Sequence, residues 1–145
     1  MISIKRIIWV VMVLLVSACS TGGAIQQYSA DKQINASLDQ LEILLKNERL
    51  DDIRQLFSND YYGGIGETSN RLETTWHREQ LDHIDFHIDR VLESDGLYIV
   101  KVSWRKSFID ASGNPQRASG VSELVLRPDR RNKYRIINIT GDSFF

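Results

Sequence analysis

Hydrophobic residues in the middle of the chain recur at steps of three and four, the spacing that places side chains on one face of a helix. The first such stripe has five aliphatic members: Ile34, Leu38, Leu41, Leu44 and Leu45. It predicts a helix over about 30–47. A second, shorter helix is predicted over 50–57 and a third over 70–82, with Thr68 or Ser69 as the N-cap of the third.

Beyond the third helix the pattern changes from helical spacing to alternation, which is typical of strands with one buried and one exposed face. Four strands are predicted: 84–88, 98–108, 121–126 and 134–142. Short turns rich in Gly, Asn and Asp join them, so neighbouring strands should pair as an antiparallel meander. Because helices come first and strands last, the sequence predicts an α+β fold with N-terminal helices packed on a curved antiparallel sheet.

The first eighteen residues follow a third pattern. Lys5 and Arg6 precede an apolar run over 7–16, and small residues follow that run. A membrane-spanning helix needs roughly 20 apolar residues, about twice the length of this run. The segment 1–18 is therefore predicted to be a secretory signal peptide, with an uncleaved anchor as the alternative.

The signal ends in Val16-Ser17-Ala18-Cys19, which resembles the lipobox of bacterial lipoproteins and contains the only cysteine of the chain. The resemblance implies that the thiol of Cys19 receives a diacylglycerol and that the chain is cut before it. Acyl chains on one residue would then hold the protein to a membrane. For a Gram-negative cell, the same resemblance implies the periplasmic face of the outer membrane, because the residue after the cysteine is Ser20 and not an aspartate.

The formal net charge of the chain bears on the classes of partner that the protein is expected to bind. Removing the predicted signal takes away Lys5 and Arg6 and no acid, so the formal net charge falls from −1 to −3. Nucleic-acid binding depends on clustered basic residues that neutralise phosphates, so this balance disfavours it. The densest basic run, within 127–135, is interpreted as a solvated turn. With one cysteine, the domain has no internal disulfide to stabilise it.

These patterns divide the chain into three parts. Residues 1–18 are the predicted lipoprotein signal peptide, 19–31 the lipidated cysteine with a flexible tether, and 32–145 the folded domain. The tether is predicted from the Gly, Ser and Gln content of "STGGAIQQYSAD".

The order of elements resembles the NTF2-like superfamily, which includes the SnoaL-like proteins and is grouped with the cystatin-like folds. The segments "LEILLKNERLDDIRQLFSNDYY" and "GVSELVLRPDRRNKYRIINITGDSFF" carry the resemblance, which covers about 31–145. It implies a cone with a pocket between the helices and the concave sheet. Enzymes of the family place an Asp, His or Tyr there.

Six residues are candidates for lining such a pocket: Tyr61, Tyr62, Trp76, Trp104, Lys106 and Asp142. Lys106 has the parity of Trp104, so a regular strand would point it inward, where it needs a carboxylate, an open mouth or a bulge that turns it out. The bulge, or snorkelling at the strand end, is the favoured interpretation. In the enzyme hypothesis Asp142 is a base and Tyr61 or Tyr62 a proton donor.

The pattern of the last strand is compatible with either of its two faces being buried. If Ile137 and Ile139 face the core, Asn138, Thr140 and Asp142 are solvated; otherwise the polar set lines the pocket. The following "GDSFF" either closes the sheet or offers an anchor to another subunit.

The stretch "HIDFHID" contains four side chains that could ligate a metal: His83, Asp85, His87 and Asp89. Neighbours two apart on a strand stand about 7 Å from each other, which is too far to share an ion easily. They are interpreted as a solvated outer face, and the sequence predicts neither a metal nor a cofactor.

These observations predict a lipid-anchored, periplasm-facing envelope protein whose domain is a non-catalytic ligand- or protein-binding module. Its expected partners are the membrane, through acylated Cys19, and an envelope protein or a small apolar ligand. Two alternatives stay open: a small-molecule lyase or isomerase that uses the cone, and a dimeric structural scaffold. A homodimer is compatible with each of them.

Overall fold

The structure is a computed structural model that describes residues 21–131 and 133–145, and side chains from Asp31 onward. The chain forms two compact units, 1–32 and 33–145. The predicted signal peptide and Cys19 lie outside the described residues. Among the described residues, no helix is long and apolar enough to span a membrane.

Helix α1 spans Thr21–Lys46 and begins well before residue 30, so the segment predicted to be a flexible tether is helical from Thr21 onward. Adding a residue to an existing helix gains one hydrogen bond per residue fixed, and no proline interrupts this stretch. The predicted apolar stripe is confirmed, since all five of its members are buried. Leu38 and Leu41 face Leu124, Leu126 and Ile136 of the sheet.

Helix α2 spans Leu50–Arg54 and is shorter than predicted. After Arg54 the backbone tightens, because the amides of residues 55–57 bond to carbonyls three residues earlier. This turn brings Phe57 to Ile136, with which it forms a parallel bridge. Pairing with the last strand therefore replaces the last turn of the predicted helix.

Helix α3 spans Ile65–Arg78, so the predicted start and the predicted cap are both wrong. The helix begins after Gly64, whose φ of 73° is readily adopted by glycine. Ser69 lies inside the helix and is buried, where its hydroxyl donates to the Ile65 carbonyl at 2.7 Å. The same hydroxyl accepts a hydrogen bond from Arg54 Nε at 2.9 Å, which joins α2 to α3.

Four antiparallel strands form one sheet in the order β1-β2-β3-β4, which confirms the predicted meander. The strands are β1 Glu79–Ser94, β2 Leu97–Asp110, β3 Pro115–Pro128 and β4 Tyr134–Gly141. Strands β1 and β3 extend further than predicted because their polar ends pair with the long β2.

Bulges explain why simple alternation misplaced some side chains. Register shifts in β1 at Asp82 and at Asp89, and one in β4 at Ile137, each insert an extra residue and change the parity of the strand. Consequently Ile136 and Ile139 both pair with inner-face residues of β3. Ile137 is the inserted residue and has no partner in this register. Neither of the two faces proposed for the last strand is correct along its whole length.

Asp110 stabilises the hairpin turn between β2 and β3. Asp110 Oδ1 accepts hydrogen bonds from the amides of Ser112 and Asn114, both at 2.9 Å, and Gln116 donates to its Oδ2 at 3.0 Å. The Asn114 amide, followed by the Gln116 side chain, holds the pKa of Asp110 below its usual value. Such bonds are the reason that aspartate is favoured in turns.

Candidate functional site

Aromatic side chains fill the space between α3 and the inner face of the sheet. Phe144 is 3% exposed, and its ring lies edge-on to Phe86 at 4.9 Å and to Phe145 at 4.7 Å between centroids. Trp104, 4% exposed, lies 6.4 Å from Phe144. The segment "GDSFF" therefore closes the interior of the domain.

The cavity that remains beside these rings has a volume of about 20 Å³. Trp76, Lys106 and Phe145 are among the residues that line it. The centre of a water molecule needs roughly 10–15 Å³ of accessible space, whereas small-molecule sites usually enclose about 300–1,000 Å³. The pocket has room for a water molecule but not for a substrate.

Lys106 points into the interior and meets a carboxylate. Its Nζ lies 2.8 Å from Glu79 Oε2, with side-chain exposures of 10% and 28% respectively, and 4.9 Å from the centre of the Phe108 ring. The favoured interpretation, that a bulge or the strand end turns Lys106 out, is wrong. The nearest bulge lies on the facing strand at Asp82, and Lys106 itself keeps regular pairing with Ile84.

Trp104 is held by hydrogen bonds that end at the segment beyond β4. Its Nε1 donates to Ser122 Oγ at 3.0 Å, and that hydroxyl donates to the Asp142 carbonyl at 2.6 Å. Opposite Trp104 stands Gly120, where a Cβ would come within 2.5 Å of the indole and 2.6 Å of Asp142 Cβ. The close approach requires glycine, and it makes Trp104 part of the closed interior.

The three residues of the acid–base hypothesis are not assembled. The carboxylate of Asp142 is exposed and accepts a hydrogen bond from the Val121 amide at 2.9 Å, beyond the end of β4. Tyr61 packs edge-on against Phe57 at 4.7 Å, and Tyr62 is 89% exposed, with its amide bonded to Ile137 near the start of β4. The tyrosines and the aspartate lie at opposite ends of that strand.

Sequence reasoning missed Glu79 as the partner of Lys106, because residue 79 was assigned to a helix. It also missed Glu42 of α1, whose Oε1 accepts the Phe86 amide at 2.7 Å on the edge strand β1. Burial raises the pKa of Glu42, although the bond from Phe86 acts in the opposite direction. Neither pairing has a signal in the sequence, since each joins residues distant along the chain.

The larger concavities lie on the surface. One, of about 280 Å³, lies between α1, α2 and the turn before β4, and Gln33, Gln40 and Gln55 are among its lining residues. Among the described residues, no group of three or more His, Cys, Asp or Glu side chains is placed to hold a metal ion.

The second concavity, here called the outer groove, has a volume of about 530 Å³ and crosses β1, β2 and β3. Eight residues line it: Lys106 and Ala118, and six whose side chains belong to the sheet's outer face, namely His83, Asp85, Arg105, Ser107, Arg117 and Ser119. The predicted outward orientation of His83 and Asp85 is confirmed by their pairing with the outward-facing Ser107 and Arg105.

The chain matches no sequence-family model and none of the curated proteins. Its fold is nevertheless similar to that of several solved structures. An NTF2-like superfamily protein from Salmonella enterica serovar Typhimurium is 10% identical, with a TM-score of 0.65 over 81% of this chain and 92% of that one. A ketosteroid isomerase-like protein from Erwinia carotovora atroseptica is 13% identical, with a TM-score of 0.60 over 78% and 93%.

ActVI-ORFA from Streptomyces coelicolor is also similar, at 13% identity and a TM-score of 0.64 over 81% of this chain and 98% of that one. Identities this low show the fold and not the activity. Helices followed by a curved four-stranded antiparallel sheet, together with these likenesses, show that the domain has the NTF2-like α+β fold.

Proposed function

We propose that this protein is a lipid-anchored, periplasm-facing lipoprotein of the bacterial envelope whose NTF2-like domain is a non-catalytic binding module. Binding takes place on the surface of the domain and not inside the cone. The observation that carries the proposal is the closed interior: Phe144 and Phe145 reduce the space beside Lys106 to about 20 Å³.

Ionisable groups near the interior support the same proposal. A general base must reach its substrate while it can still accept a proton. Glu79 is ion-paired with Lys106. The carboxylate of Asp142 is exposed to solvent and accepts a hydrogen bond from a backbone amide. Neither group lies in an enclosed site large enough for a substrate, which the lyase or isomerase alternative requires.

The membrane anchor is tested by replacing Cys19 with alanine. Without the thiol no diacylglycerol can be attached, so we expect the protein to move from the membrane fraction to the soluble or culture fraction. Cell fractionation and the mass of the intact protein measure this directly, and Arg130→Gln, which leaves the lipobox unchanged, serves as the control. A Cys19→Ala protein that stays in the membrane fraction with unchanged mass would contradict the anchor.

The closed interior is tested by native mass spectrometry of the full chain released from membranes in a mild neutral detergent. We expect no retained small molecule whose binding depends on Lys106, because the interior beside this residue lacks room for one. The Lys106→Met variant is the matched control for any extra mass. A stoichiometric small molecule that is present in the wild type and lost in this variant would favour the enzyme alternative.

A further inference from the structure

The register of the sheet brings two arginines together in the outer groove. Ser107 pairs with Arg117, and Arg105 pairs with Ser119, so the two arginines are diagonal neighbours on adjacent strands. Diagonal neighbours on one face have Cβ atoms roughly 7 Å apart, well within the reach of two long side chains. Both guanidinium groups can therefore contact the same bound group.

Two arginines line the groove with one carboxylate, Asp85, and a second carboxylate, Asp82, accepts a hydrogen bond from Ser107 Oγ at 3.1 Å beside it. Asp85 is the carboxylate among the lining residues, and its Oδ2 lies 3.4 Å from Arg105 Nε while its Oδ1 lies 3.9 Å from His83 Nε2. Within the described part of the chain, Arg117 has no ion-pair or hydrogen-bond partner. Because one long, exposed ion pair uses little of the donor capacity of Arg105, the groove retains unused N–H donors from two guanidinium groups.

The donors have the geometry that oxyanions require. A guanidinium group is a planar fork that binds carboxylate or phosphate oxygens in pairs. Ser119 stands directly opposite Arg105, on the same outer face as Arg117, and its hydroxyl can donate a further hydrogen bond. The groove volume of about 530 Å³ also leaves space for a ligand larger than the anion alone.

We propose that the outer groove binds a small molecule through a phosphate or carboxylate group held between Arg105 and Arg117, with Ser119 donating a further hydrogen bond. Asp85 orients Arg105 and limits the ligand to a single anionic group, since a second one would approach its carboxylate. The inference rests on the proposed function, because it names the ligand chemistry of the surface binding proposed above.

The test is a calorimetric titration of inorganic phosphate, and separately of acetate, into the full chain in neutral detergent at 150 mM sodium chloride. We expect saturable binding of at least one of the two anions. Arg117→Gln and Arg105→Gln should each weaken it about tenfold or more, the range for losing hydrogen bonds to a charged group. Ser119→Glu, which adds a carboxylate at the same place, should abolish it.

Arg130→Gln is the matched control, because it removes one positive charge from an exposed turn outside the groove. Its affinity should equal that of the wild type, and circular dichroism should show the same fold in all four variants. The absence of saturable binding to the wild type, or equal weakening by Arg130→Gln, would overturn the inference. Either result leaves the proposed binding module standing, because native mass spectrometry of the wild type and Lys106→Met tests the closed interior separately.

Discussion

Replacing Phe144 with alanine is expected to lower the free energy of unfolding by about 3–5 kcal/mol, the range for removing a fully buried phenyl ring. The ring is 3% exposed and lies against Phe86, Trp104 and Phe145. Its loss leaves a cavity among rigid aromatic neighbours that cannot collapse easily. Urea denaturation of the full chain, followed by far-ultraviolet circular dichroism, measures the change.

Ile43→Ala is the matched control for this prediction. Ile43 is also a large hydrophobic residue, but it is 61% exposed on α1, so its replacement should change the free energy of unfolding by about 0.5 kcal/mol or less. If Phe144→Ala were no more destabilising than Ile43→Ala, the segment over 141–145 would not close the interior. The structural basis of the non-catalytic proposal would then be lost.

The connection between this segment and the sheet shows why the closure is specific. Gly141 has a φ of 93°, and a Cβ there would lie 2.6 Å from the Val121 carbonyl oxygen. Glycine is therefore needed where the chain leaves β4 and turns toward the interior. From α3, Arg71 donates to Ser143 Oγ at 3.0 Å and stands 5.7 Å from the centre of the Phe145 ring.

The sequence predicted the architecture because its strongest signals are local. The stripe from Ile34 to Leu45 and the alternation of Tyr98, Val100 and Val102 depend only on the period of one helix and one strand, and the structure confirms both. A Gly-rich start such as that of α3 has no such period. Its start at Ile65 was therefore missed, and residues 79–82 were counted as the end of that helix.

The candidate site was less predictable because its contacts depend on register. Parity correctly placed Lys106 on the inner face, but its partner Glu79 lies 2.8 Å away only because β1 begins at that residue. The bulge at Asp82 then shifts the rest of β1, so counting from Ile84 would have put residue 79 on the other face. A shift of one residue changes which side chains meet, and sequence period alone does not locate it.

The second large effect concerns the ion pair between Lys106 and Glu79. Removing one partner of a buried pair leaves an uncompensated charge, which typically costs about 3–5 kcal/mol. Since Lys106 is 10% exposed, Glu79→Gln should approach the lower end of this range, about 3 kcal/mol. Lys106→Met should cost about 1 kcal/mol or less, because Glu79 is 28% exposed and can be hydrated.

The double variant Glu79→Gln, Lys106→Met separates this effect from a simple loss of packing. It contains no buried charge, and methionine retains the apolar stem beside Phe108, so its stability should lie near that of the wild type and above that of Glu79→Gln alone. Urea denaturation of the four proteins at pH 7 and 150 mM sodium chloride gives the coupling energy. If each single variant changed the free energy of unfolding by less than about 0.5 kcal/mol and the two changes were additive, the pair would behave as a solvated surface contact. In that case the interior would be open to water at Lys106, and the cone would again be a candidate for small-molecule binding.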